Sequence, residues 1–138
     1  MVQLIIGEKG KGKTKVLLDK VNEEVLNASG NFVYLDKSSK HMYELNNKVR
    51  LIDASNYFID NSDQFIGFIS GIISQDHDLE KMYFDNFLSI SNCGDEFEAV
   101  LSKIEKISNL FKVDFVISLS KVESDFSEAW KNCIIVSL

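Results

Sequence analysis

The feature that most limits what this chain can become is the segment Gly7-Glu8-Lys9-Gly10-Lys11-Gly12-Lys13-Thr14. Its glycines open a backbone path that residues with side chains avoid. Val2 to Ile6, immediately before it, is a short apolar run that reads as a buried strand. Behind it, Leu17, Leu18, Val21, Val25 and Leu26 recur at helical spacing from Thr14 to Asn27, and Ser29-Gly30 supplies a stop signal. A strand that turns through a glycine-rich loop straight into a helix is the opening unit of an α/β sheet.

The remaining periodicities repeat that alternation. Phe32 to Leu35 and Val49 to Ile52 are β-rich runs closed by Asp36 and Asp53. The polar stretch 37 to 48 between them holds a turn of helix or an exposed loop. Ser62 is placed to cap a helix through about Ser74. The apolar residues Phe65, Ile66, Phe68, Ile69, Ile72 and Ile73 cover most of that helix's circumference, which predicts deep burial. Leu79 to Phe84 is a strand ending at Asp85. Asp95 to Phe111 is an amphipathic helix with Phe97, Val100, Leu101, Ile104, Ile107 and Leu110 inward. Phe115 to Leu119 and Cys133 to Val136 are the last strands, with a short helix near Ser124 to Trp130 between them. The pattern predicts a three-layer α/β/α sandwich on a mostly parallel sheet of five to six strands.

Composition bounds the partners. With 138 residues and 45% hydrophobic content the chain supports one domain, residues 1–138, with a real core. A net charge of -6 argues against a nucleic-acid groove or an anionic-membrane patch, since both need clustered cations. The cations that do cluster are Lys9, Lys11, Lys13 and Lys15, a local reversal of sign that suits a small anion. The most apolar stretch, Phe65 to Ile73, is far short of the roughly 20 residues of a membrane helix. Cys93 and Cys133 lack metal-type spacing and read as idle thiols in the cytoplasm. Arg50 is the only arginine and proline is absent, as in a low-GC bacterial chain.

Gly7 to Thr14 matches G-x-x-x-x-G-K-[ST] between a strand and a helix, and the chemistry explains the spacing. Gly7, Gly10 and Gly12 let successive N–H groups converge on phosphate oxygens. Lys13 reaches the β- and γ-phosphates, Thr14 offers its hydroxyl to Mg²⁺, and the helix N-terminus adds a favourable dipole. The segment resembles the Walker A loop of the P-loop NTPase superfamily, and the strand and helix order resembles its RecA-like and AAA-like division. The resemblance implies phosphate binding by Gly7, Lys9, Gly10, Lys11, Gly12, Lys13, Thr14 and Lys15, with ATP and Mg²⁺ as ligands. It also implies a sheet in the order 5-1-4-3-2, with residues 40 to 48 adding a small element at the edge.

The division carries its Walker B aspartate at the end of a strand after a buried helix. That favours Asp85 over Asp53 as the second magnesium residue beside Thr14. A water-activating glutamate often follows, but here the residue is Asn86, which cannot accept a proton. Asp36, closing the second strand, is the substitute base, so the catalytic set becomes Lys13, Asp85 and Asp36. Ser118 and Ser120 stand where a polar residue near the γ-phosphate is expected. Arg50 lies near the start of its strand, towards the end away from the phosphates, and reads as the partner of an acidic neighbour. Asp76-His77-Asp78 precedes its strand by a length that sets it roughly 23 Å from the phosphate end, so it reads as a solvated loop. Gly67 and Gly71 read as a close-packing contact between helix and sheet.

Two functions fit these residues. One is ATP binding with slow or partner-dependent hydrolysis, acting through a homo-oligomer or a protein partner. The other is a non-enzymatic nucleotide sensor. A small GTPase fits less well, because Ser120-Lys121-Val122-Glu123 departs from [NT]-K-x-D at its first and last positions. A nucleotide kinase lacks its arginine-rich lid.

Overall fold

The computed structural model describes residues 1–138. Its strands are β1 (Val2–Ile6), β2 (Asn31–Asp36), β3 (Val49–Asp53), β4 (Leu79–Phe84), β5 (Asp114–Leu119) and β6 (Ile134–Ser137). Its helices are α1 (Lys13–Glu24), α2 (Ser62–Ser74), α3 (Phe87–Ser91), α4 (Phe97–Phe111) and α5 (Glu128–Lys131). All six strands are parallel, in the order β3-β2-β4-β5-β1-β6. The expected order 5-1-4-3-2 is corrected in one respect: Val49–Asp53 is itself the added edge strand, lying outside β2. With β3 set aside, the remaining five strands follow the expected sequence of neighbours.

Side-chain alternation along each strand divides the core between two faces. Leu4, Ile6, Val33, Leu35, Met82, Phe84, Phe115 and Ile117 face a large cluster completed by α2, α3, α4 and α5. Ile5, Phe32, Tyr34, Tyr83 and Val116 face a smaller one covered by α1. Phe65 of α2 meets Phe84 edge-on at 5.3 Å between ring centroids and Phe87 at 6.0 Å, while Phe84 also contacts Phe115 at 5.5 Å. Such pairs add about 0.5–1.5 kcal/mol each beyond the area they bury. They anchor the chain on both sides of Asp85.

Several local expectations change. The α2 cap is Asn61, whose side chain accepts from the Gln64 N–H at 2.9 Å, and not Ser62. Leu110, placed inward by periodicity, is exposed, and so is Leu26 of the α1 periodic run. A short helix, α3, follows β4 without a periodic signal in the sequence, since five residues are too few to show a period. Gly67 and Gly71 face solvent, and a methyl group added at either meets nothing within 4 Å. Only Phe65, Ile69 and Ile73 of α2 are fully buried, so the helix has an open outer face.

The glycine pair therefore costs helix stability without a packing return. Gly67→Ala and Gly71→Ala should each stabilise the fold by about 0.5–1 kcal/mol, through reduced freedom of the unfolded chain and better helix propensity. Urea denaturation checks the sign; a loss of stability would mean that α2 needs the glycines for a contact.

Candidate phosphate-binding and catalytic site

The carboxyl ends of the six parallel strands share one edge of the sheet, and the glycine-rich loop rises from β1 in its midst. Gly7 has φ +155°, and a Cβ there would stand 3.0 Å from the Leu138 Cβ and 3.1 Å from its carbonyl oxygen. Gly12 is left-handed (φ 96°, ψ 21°) and takes the N-cap position of α1 with no side-chain cap. The N–H groups of Gly10, Gly12, Lys13, Thr14 and Lys15 make no hydrogen bond within the chain. They are the orphan donors of a helix start, gathered by the loop into one place. Lys13 Nζ donates back to the Glu8 carbonyl at 3.1 Å. Partial burial lowers its pKa, and the nearby Asp85 charge opposes that shift.

Beneath the loop, Asp85 is 4% exposed and holds three hydroxyl groups. Its Oδ1 accepts from Thr14 Oγ1 at 3.2 Å and from Ser118 Oγ at 3.0 Å; its Oδ2 accepts from the Tyr34 hydroxyl at 3.0 Å. Ser118 in turn accepts the Asn86 N–H at 3.1 Å, and the Asp85 N–H donates to the Leu35 carbonyl at 2.8 Å. Burial, then the charge of Asp85 and the hydrogen bond to it, push the Tyr34 phenol far up, so it remains a donor. Asn86 adopts a left-handed conformation (φ 60°, ψ 52°), which asparagine tolerates better than most residues, and starts α3 at once.

Asp36 stands beside this group at the end of β2, adjacent to β4. It is 3% exposed; its Oδ1 accepts the Lys37 N–H at 2.6 Å, and its Oδ2 has no partner. Burial raises its pKa, and the Asp85 charge raises it further. Two buried carboxyl groups thus lie at one strand edge.

Lys13, Thr14, Asp85, Asp36 and Ser118 converge on this edge, and the other residues singled out by the sequence do not. Asp53 ends the edge strand and accepts from both the Ser55 N–H (3.0 Å) and hydroxyl (2.5 Å), capping its own turn. Ser120 is exposed beyond β5. Lys15 lies along α1 in an exposed pair with Asp19 at 3.2 Å, while Lys9 and Lys11 point into solvent. Arg50 is the second residue of β3, is exposed, and makes no ion pair, so its expected acidic partner is absent. Asp76 accepts the Asn31 side-chain amide through both oxygens at 3.1 Å, fastening a loop at the opposite end of the sheet. Burial raises the pKa of both Cys93 and Cys133, which keeps the thiols protonated and weakly nucleophilic.

Tyr34 was not among the residues the sequence marked. Its side chain lies within a strand of apolar neighbours, where a tyrosine reads as core; only the neighbouring strand reveals what its hydroxyl touches. A broad cavity at the amino ends of the strands, between Glu24, Phe32, Glu80, Lys81 and Lys112, lies away from all of these groups. Its Glu24 and Lys81 form a 2.9 Å ion pair that accounts for the charge there.

No helix is long and apolar enough to cross a membrane. No protein-family model and no curated protein matches the sequence. Among solved structures, the chain is similar to a KaiC-like protein from the hyperthermophilic archaeon Pyrococcus horikoshii, with a TM-score of 0.57 and 15% identity over 87% of this chain. It spans 62% of that protein's length. At such identity the likeness speaks for architecture alone: the chain has the RecA-like P-loop fold, a six-stranded parallel sheet with the glycine-rich loop opening its first helix.

Proposed function

We propose that the chain binds ATP with Mg²⁺ through the loop Gly7 to Lys15, and that hydrolysis, where it occurs, is slow or depends on a partner. The observation that carries this reading is the Thr14–Asp85 contact, which joins the phosphate loop to a buried carboxylate on another strand. A lysine-rich surface turn has no need of such a group beneath it. The donor set suits the metal: Mg²⁺ takes oxygen ligands, commonly one or two carboxylates together with phosphates and water. Thr14 Oγ1 and Asp85 would hold it, and it would offset the charge of the phosphate oxygens.

The other residues act around that pair. The loop N–H groups bind the phosphate oxygens, and Lys13 swings from the Glu8 carbonyl to the β- and γ-phosphates. Asp36, with its unpartnered Oδ2 and raised pKa, orients a water and takes its proton as the water oxygen attacks phosphorus and ADP leaves. Ser118 positions Asp85. The only arginine stands near the start of the edge strand, away from its carboxyl end, so extra cationic charge at the transferring phosphoryl group would come from a second copy or another protein. Asn86 favours a second reading, a nucleotide-responsive module without turnover: the residue after Asp85 has no proton-accepting group, and its N–H is committed to Ser118.

Calorimetric titration tests the binding. ATP with Mg²⁺ should stabilise the native chain by about 2.7 kcal/mol at a hundredfold excess over Kd. Lys13→Ala should abolish the effect, while Asp85→Asn should remove chiefly its magnesium-dependent part. If no nucleotide shifts the native melting temperature, the proposal fails. A second test concerns Asp36. Its folded pKa is raised above an unfolded value of about 3.9, so its stabilising protonated form is lost as pH rises through the folded value. Melting curves should show Asp36→Asn gaining on the native chain as pH is raised from 4 to 7, with ATP turnover reduced.

A further inference from the structure

A second cavity opens at the carboxyl edge, towards β3 and away from the glycine-rich loop. The chain leaving β2 runs outward to β3 and the chain leaving β4 runs back towards β5, so the connections part between these two neighbouring strands. Open parallel sheets hold ligands at such a parting. The space there measures about 350 Å³. Its walls are Lys37 after β2, residues of the loop 54 to 60 after β3, and Ser89, Ile90 and Asn92 after β4. These walls are fastened. Asn92 Nδ2 donates to the Ile59 carbonyl at 2.7 Å, and the Asp60 N–H donates to Gln64 Oε1 at 2.6 Å. The Tyr57 ring packs against Phe68 of α2, with 5.2 Å between centroids.

The lining offers two kinds of surface. Tyr57, Phe58, Ile59 and Ile90 are apolar, and Phe58, 95% exposed, has almost no cover from the fold. Lys37 and Asp60 carry opposite charges and make no ion pair, with each other or with any other residue. Asp53, which precedes the loop, is already committed to Ser55. We infer that this cavity binds a small zwitterion with an apolar side chain, an α-amino acid of the size of leucine or phenylalanine. Its carboxylate meets Lys37, its ammonium meets Asp60, and its side chain lies against Phe58 and Ile90. A phosphate would satisfy Lys37 but be repelled by Asp60. A wholly apolar ligand would strip water from both charges and return nothing to them. One charge of each sign on an apolar body answers all three demands. The volume lies near the lower end of small-ligand pockets, roughly 300–1,000 Å³, as a ligand of this size requires. Because the walls are already held, little ordering accompanies binding. The residues are separate from those of the nucleotide site, and the inference stands or falls independently of it.

Calorimetric titration of the native chain with L-leucine and L-phenylalanine tests this, beside two controls: glycine, which keeps both charges, and N-acetyl-L-phenylalaninamide, which keeps only the apolar body. At least one of the two amino acids should bind, and each control should bind at least about tenfold more weakly. Lys37→Met, Asp60→Asn and Phe58→Ala should each weaken that amino acid about tenfold. All three side chains are exposed, so melting curves of the variants should match the native chain. In NMR titration of the native chain, the shifted amide signals should be those of residues 57 to 60 and 89 to 92. The inference is overturned if neither amino acid binds, if a control binds as tightly as the amino acid, or if the Lys37 and Asp60 variants keep native affinity. Shifts confined to other parts of the chain overturn it as well.

Discussion

The arrangement at the carboxyl edge depends on satisfying one buried carboxyl group, that of Asp85. Asp85 has almost no access to water, and an isolated charge in such a place costs several kcal/mol. The fold meets this with hydroxyls from three different elements: Thr14 at the start of α1, Tyr34 on β2 and Ser118 on β5. Each donor is held by its own element's packing, so the position of α1 against the sheet and the chemistry at its N-terminus are a single problem. Hydroxyls serve better here than a direct ion pair. They satisfy the carboxyl group while Lys13 stays on the Glu8 carbonyl.

Several locally costly features meet at the same edge. Asp36 has an unpartnered buried oxygen, Asn86 is left-handed immediately after a strand, and the loop leaves helix donors unsatisfied. Features that disfavour folding and cluster at one place are the mark of a site maintained for binding or catalysis rather than for stability. At the amino ends of the strands polar groups find partners within the fold, such as Glu80 accepting from the Ser29 N–H and hydroxyl.

Legibility in the sequence followed how local each physical cause is. The glycine-rich loop, α1 and the strand runs could be read because glycine freedom, helical spacing and β-rich runs act over a few neighbouring residues. The place of Asp85 and Asp36 at strand ends was also readable, since both close apolar runs. The glycines of α2 were misread because apolar residues on most sides of a helix predict burial, whereas the sheet covers only one side and solvent takes the other. Tyr34 was missed because its partner is 51 residues away along the chain.

By itself the sequence determined the alternation of strands and helices, the glycine-rich loop between the first strand and helix, and the aspartates that close strands. These follow from backbone freedom and periodicity within short segments. The tertiary structure decided the rest: that Val49–Asp53 sits outside β2, which takes Asp53 to the edge, and that β2, β4 and β5 lie side by side, which brings Tyr34, Asp85 and Ser118 within hydrogen-bonding distance. Strand order is set by which apolar faces pack together across the whole chain, and no short window of residues contains that information.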